Sequence, residues 1–239
     1  MIESPQNEKL KLVRKLRERK HREREQLFLS EGEDLIEAGL AAGVEPRVLL
    51  VAPESGIDGE EVAPELLDSV SALGSGTRAI GIWPQRWSEA GGSPCLYLHG
   101  VGDPGNVGTI VRTAHALLAG PVVLGPDCAD PYSPKAVRAS MGSIFAQPLA
   151  RGGIEETPGP RVALVAHGGE GLDGLAGAAT ICLGAERVGL PPEVLSACDS
   201  QTTIPLRPGG AESLNVAAVA AICAERISSL AMPEGGGND

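Results

Sequence analysis

The last regular stretch of the chain alternates short apolar runs with turns and then gives way to an apolar helix. Residues 180–183 and 202–206 have the length and β-branched content of buried strands, and each stops at a glycine or proline turn. Beyond the loop at 207–210, Glu212, Ser213 and Asn215 supply capping-type side chains ahead of a helix expected over 216–227. A helix start therefore faces strand ends, an arrangement that makes ligand sites. Toward the N-terminus, Leu10, Leu12, Val13 and Leu16 draw a narrow apolar stripe along a basic helix over 9–24. Strands are expected at 26–29, 47–51 and 78–83, with one helix opened by Ser30 and Gly32 and running through Leu40 to Ala42 and a second spanning 64–73.

These elements make a small α/β unit over 1–83. Proline and glycine over 84–94 mark a linker. In 95–230, strands at 96–98, 122–124 and 162–165 alternate with helices at 106–118 and 136–139, which predicts a parallel sheet covered by helices. Residues 231–239 read as a disordered tail.

Composition adds a core type and a compartment. With 42% apolar residues and only 3% aromatics, the core is built mainly from Val, Leu, Ala and Ile. No apolar stretch reaches the length of a membrane span, and Met1 is not followed by a basic-then-apolar signal. Cys95, Cys128, Cys182, Cys198 and Cys223 are scattered without a Cys-x-x-Cys pair, which favours reduced thiols and a cytoplasmic location, and no histidine spacing suggests a metal.

Charge is unevenly spread. Nine basic residues between Lys9 and Arg24 stand against Glu18 and Glu23, so this stretch carries +7 and the remainder −18 of the total −11. A solvated helix face has this look. So does the arm of an acidic protein that grips nucleic acid, with Arg14, Lys15, Arg17, Arg19, Lys20 and Arg22 as phosphate-binding candidates.

Gly100-Val-Gly-Asp-Pro-Gly105 matches the dinucleotide fingerprint GxGxxG, with Asp127 about twenty residues on. Glycine makes up 32 of 239 residues, so a chance match is unsurprising, and Pro104 constrains the turn. A nicotinamide cofactor also leaves the terminal stretch without a purpose.

The next residues, Asn106-Val-Gly-Thr-Ile-Val-Arg112, carry more information. Together with Leu183-Gly-Ala-Glu186-Arg-Val-Gly189-Leu190, Ile204-Pro-Leu206 and Ser213-Leu214-Asn215, they resemble the motifs of the SpoU/TrmH family of RNA ribose 2′-O-methyltransferases, within the SPOUT superfamily. The front of the chain resembles the L30e-like substrate-binding domain that many ribosomal RNA methyltransferases of this family carry. The resemblance implies a C-terminal parallel-sheet SPOUT domain with a trefoil knot, preceded by a small L30e-like α/β domain. It implies a homodimer and S-adenosylmethionine as cofactor, held by Leu183, Gly184, Glu186, Gly189, Ile204, Leu206, Ser213 and Leu214. Catalytic roles fall by similarity on Arg112, with Asn106, Glu186, Ser213 and Asn215. Arg138 and Ser140 resemble a segment on the substrate side.

Each of these residues also has a plainer reading. Arg112 could be a solvent-facing helix residue, Asn215 a simple cap, and Arg138 and Ser140 a polar helix end. Since a guanidinium gives up its proton only above about pH 12, Arg112 suits orienting a phosphate and stabilising a developing alkoxide better than accepting a proton. Two departures from the family pattern, Arg187 and Glu212, alter charge beside the motifs. The implied substrate is a structured RNA, ribosomal in preference to transfer RNA. A noncatalytic RNA-binding protein of the same fold is the alternative, and retention of Asn106 and Arg112 speaks against it.

Overall fold

The computed structural model describes residues 1–74 and 76–231. Chain packing divides them into two compact units, Met1–Arg86 with Asp130–Ala146, and Trp87–Ala129 with the residues from Gln147 onward. The first unit runs α1 (Glu8–Leu16), α2 (Arg19–Glu25), β1 (Leu27–Glu31), α3 (Glu33–Ala41), β2 (Val48–Val51), β3 (Glu60–Glu61), α4 (Pro64–Val70) and β4 (Ala79–Pro84). The second opens with β5 (Cys95–Leu98), α5 (Pro104–Leu117) and β6 (Val122–Leu124). The chain then supplies α6 (Pro134–Ala139) to the first unit. It completes the second with β7 (Leu149–Arg151), β8 (Arg161–Leu164), β9 (Thr180–Leu183), α7 (Pro192–Ser196), β10 (Ser200–Thr202) and α8 (Val216–Ala231).

In the first unit the sheet order is β1-β4-β2-β3, antiparallel except for the β2–β3 pair. Leu10, Val13 and Leu16 are fully buried against Leu50, Leu67, Val70, Ile80 and Ile82, as the apolar stripe predicts. The single basic helix expected over 9–24 is instead two. It breaks after Leu16 because the carbonyls of Leu16 and Arg17 accept hydrogen bonds from the Arg22 guanidinium, and Glu18 adopts an extended conformation as the cap of α2.

Residues 130–146 fall in the first unit, whereas the pattern placed them within 95–230. Aromatic packing accounts for this. Phe28 lies 4.8 Å from Tyr132 and 5.6 Å from Phe145, and Trp83 packs edge-on to Phe145 at 4.8 Å. These are four of the chain's six aromatic rings, so the segment carries much of this unit's bulky core. Trp83 is fully buried and donates Nε1–H to Ser30 Oγ at 2.8 Å. Gly81 makes room for it, since a Cβ there would fall 2.3 Å from Trp83 Nε1.

The second unit is a six-stranded, wholly parallel sheet in the order β10-β8-β9-β5-β6-β7. Parallel strands need crossover connections, and α5 and α8 supply covering helices that pack on each other. The chain winds outward from β5 through β6 to β7 and returns on the opposite side with β8 and β9. The order reverses between β5 and β9, the position where open parallel sheets hold ligands beyond their carboxyl ends. One expected strand moves. The run at 202–206 pairs only through Thr202, because Pro205 has no N–H to donate and Ile204 and Leu206 turn away from the sheet.

No helix among the described residues is long and apolar enough to cross a membrane. The tail expected over 231–239 lies outside the described residues from Met232 on, and Ala231 is the last residue of α8.

Candidate active site

At the carboxyl ends of β8 and β9 the second unit has a cavity of about 380 Å³, within the range of small-molecule sites. Its wall is formed by residues 164–166, 183–190, 204, 206, 212–214, 216 and 219, with Leu195. All eight residues expected to hold the cofactor line it: Leu183, Gly184, Glu186, Gly189, Ile204, Leu206, Ser213 and Leu214. Residues 164–166, the last of β8 and the two that follow it, were missed, although an apolar strand ending in Val165-Ala166-His167 was the available signal.

The loop after β9 is tightly folded. Ala185 and Gly189 exchange backbone hydrogen bonds of 3.2 and 2.8 Å, and Gly189 adopts φ +70°. Gly184 lies against the returning strand of this turn, where a Cβ would fall 2.3 Å from the Gly189 carbonyl carbon. The opposite wall has unpaired backbone. Among the described residues, the N–H groups of Ile204 and Leu206 have no hydrogen-bond partner, and both residues line the cavity. Arg187 and Glu212, the two departures from the family motifs, both line it and set opposite charges there.

Three polar side chains from distant parts of the chain meet beside this cavity. Asn106, in the first turn of α5, donates Nδ2–H to Glu186 Oε1 at 2.6 Å. Asn215 donates Nδ2–H to Asn106 Oδ1 at 3.0 Å and to Glu186 Oε1 at 3.1 Å. Asn215 Oδ1 also accepts the Ala217 N–H at 2.9 Å, so it caps α8 and joins the cluster at once. Ser213 lines the cavity but makes no side-chain bond to these three among the described residues. The start of α5 is occupied by Asp103, whose side chain accepts the Asn106 N–H. A carboxylate where a pyrophosphate would bind argues against the dinucleotide reading of Gly100–Gly105.

Arg112 lies elsewhere. Six residues beyond Asn106, it is about 9 Å further along α5. It is exposed, is absent from the cavity wall, and its side chain makes no hydrogen bond or ion pair with the cluster or any other described residue.

In the first unit the basic candidates divide. Arg14, Lys15, Arg19 and Lys20 are exposed, with Arg19 on Glu23 and Lys20 on Glu18 as surface pairs of the kind that contribute little. Arg17 donates to the Val70 carbonyl. Arg22 is no phosphate ligand: it is 3% exposed and ion-paired to Asp130 at 2.7 Å. Ser140 is likewise excluded from RNA contact, being fully buried with its hydroxyl donated to Val137 O at 2.7 Å, whereas Arg138 is exposed.

Comparison with known proteins agrees with this geometry. The sequence model of the SpoU rRNA Methylase family matches residues 93–225, and that of an MRM3-like substrate binding domain matches residues 7–75. The 23S rRNA (guanosine(2553)-2′-O)-methyltransferase RlmP of Bacillus subtilis is 30% identical over 92% of this chain and 96% of its own length. An AdoMet-bound rRNA methyltransferase from Sinorhizobium meliloti superposes with a TM-score of 0.85 at 28% identity, covering 97% of this chain and 98% of that one. A TrmH-family RNA methyltransferase from Porphyromonas gingivalis gives 0.79 at 30% identity, covering 95% and 98%. With a family match over more than half its length and a relative aligned almost end to end, the chain belongs to the SpoU rRNA methylase family.

Proposed function

We propose that the chain transfers a methyl group from S-adenosylmethionine to a ribose 2′-hydroxyl of ribosomal RNA. The observation that carries this reading is Glu186, which lines the cavity and also anchors Asn106 and Asn215. The residues present suit the cofactor. Leu183, Leu206 and Leu214 offer apolar surface to a purine, the Ile204 and Leu206 N–H groups offer donors, and Glu186 and Glu212 offer negative charge to an ammonium or sulfonium. The bound cofactor supplies an electrophilic methyl. The protein's part is to fix the loops, hold the ribose and phosphate, and stabilise charge on the attacking oxygen. The name of the Bacillus subtilis relative supports ribosomal RNA as the substrate class. Incubating purified protein with cofactor and unmodified ribosomal or transfer RNA, then mapping new ribose methylations, tests it. Methylation confined to transfer RNA would overturn the substrate assignment.

The reading includes a homodimer. Since Arg112 lies outside its own chain's cluster, it would act at the cavity of a second copy, and a protein that sediments only as monomer would contradict this. It also includes the family's knot, which the wall shared by the loop 183–190 and by residues 204, 206 and 212–214 favours.

Gly184→Ala is expected to weaken cofactor binding about tenfold or more, because overpacking against backbone costs about 1–3 kcal/mol and the turn must open. Calorimetric titration with S-adenosylmethionine reads this directly.

The first unit is assigned to gripping RNA. Neutralising Arg14, Lys15, Arg19 and Lys20 should weaken RNA binding and reduce the slope of log affinity against log salt by about one unit per lost phosphate contact. Cofactor affinity should not move. An unchanged salt slope would reduce the arm to a solvated helix face.

A further inference from the structure

We propose that Cys198 and Cys182 form a redox couple that takes disulfide oxidants and, once oxidised, closes covalently across the base of the loop lining the cavity. Scattered in sequence, the two cysteines meet in the fold. Their Sγ atoms are 3.6 Å apart and share a hydrogen bond, sixteen residues apart along the chain. Cys182 is in β9, fully buried, immediately before Leu183 and Gly184 of the cavity wall. Cys198 follows α7 and is half-buried, the less buried of the two. The remaining thiols are placed differently: Cys95 bonds Thr180 at 3.2 Å, Cys128 donates to the Leu98 carbonyl, and Cys223 is buried in α8.

The environments assign the roles. Once ionised, Cys198 accepts the Cys182 S–H and has Arg161 nearby, which hold it below the ordinary thiol value. The same hydrogen bond, followed by burial, pushes Cys182 up. The outer cysteine therefore attacks and the inner one resolves. The Cys198 thiolate attacks one sulfur of a small disulfide such as oxidised glutathione, expelling one thiolate and leaving a mixed disulfide. Cys182 then loses its proton to the medium and attacks the Cys198 sulfur, expelling the second. Two protein thiols are oxidised to one disulfide and one oxidant disulfide is reduced to two thiols.

Bond formation shortens the Sγ–Sγ separation to about 2.0 Å and draws the end of α7 toward β9. Leu183, Gly184 and Leu195, which line the cavity, flank the two cysteines, so the oxidised form should hold the cofactor less tightly. By linkage, bound cofactor should favour the reduced form to the same degree. This consequence rests on the cofactor reading above; the disulfide itself does not.

The test treats the full chain with oxidised glutathione and digests it without reduction. A peptide cross-linked through Cys182 and Cys198 is expected, and Cys198→Ser should abolish it. Calorimetry should show S-adenosylmethionine affinity reduced at least tenfold in cross-linked protein and restored by dithiothreitol, with Cys198→Ser insensitive to the oxidant. A stable mixed disulfide on Cys198, or cross-links to other cysteines only, would overturn the couple. Unchanged affinity in fully cross-linked protein would overturn its effect on the cavity. Cross-linked protein that never bound cofactor even when reduced would support the couple while removing the cofactor assignment.

Discussion

Arg22→Ala is expected to destabilise the first unit by about 3–5 kcal/mol, the usual cost of removing one partner of a buried ion pair. The side chains of Arg22 and Asp130 are 4% and 5% exposed, so truncation leaves a carboxylate without its counter-charge and with little access to water. Its other oxygen keeps the Tyr132 N–H at 2.9 Å, which does not neutralise it. The carbonyls of Leu16 and Arg17 lose their donor at the same time, and these are what end α1. Because the chain has two units, a single melting curve is a poor gauge. Hydrogen exchange followed by mass spectrometry is the better one, with protection over 10–31 and 130–145 falling by about two to four orders of magnitude. The double variant Arg22→Met with Asp130→Leu should recover part of the loss, since replacing both charges removes the desolvation cost. Protection unchanged in Arg22→Ala would mean that the pair is dispensable.

The Arg22–Asp130 pair also shows where pattern reading stops. In sequence, Arg22 is one of nine cations in a run and looks the same as its neighbours. Its partner lies 108 residues away, in a segment the pattern placed with the other sheet. Local periodicity reports which face of an element is apolar, and it found Leu10, Val13 and Leu16 correctly. It does not report which distant segment supplies the rest of a core, so the return of Tyr132 and Phe145 to Phe28 and Trp83 was not legible. The strand expected at 202–206 failed for a related reason. Its β-branched run is real, but Pro205 cannot join a ladder, and the apolar residues Ile204 and Leu206 serve the cavity instead of the sheet.

The site was more legible than the fold around it. Glycine at 184 and 189, and polar residues at 106, 186 and 215, break the apolar pattern at strand ends and helix starts, where side chains face a crevice and not a core. The motifs thus located the cavity wall. They did not tell that Asn106 joins Glu186 and Asn215 while Arg112, on the same helix, stands apart. That distinction comes from helix geometry, since six residues along α5 carry Arg112 well beyond the cluster.

Arg112→Ala is expected to cut single-turnover methylation about a hundred-fold or more at saturating RNA, by analogy with losing one oxyanion donor. The group would stabilise charge that develops on the 2′-oxygen only as the bond to the methyl forms, so its loss should fall on the chemical step. Arg112→Lys should restore little, because an ammonium lacks the planar fork that can hold a phosphate and an alkoxide together. Cofactor affinity should stay at the wild-type value in both variants, since Arg112 is exposed and absent from the cavity wall. If Arg112 acts at the cavity of a second copy, two defective proteins can repair each other. Mixing Arg112→Ala with Gly184→Ala at equal amounts, with subunit exchange, should form mixed dimers in which one site has an intact cavity and an intact Arg112, so that about a quarter of the sites regain activity. No recovery in proven mixed dimers would place Arg112 at its own chain's cavity after RNA binds. A near-normal rate for Arg112→Ala alone would remove it from the chemistry, and lost cofactor binding in that variant would mark a structural residue.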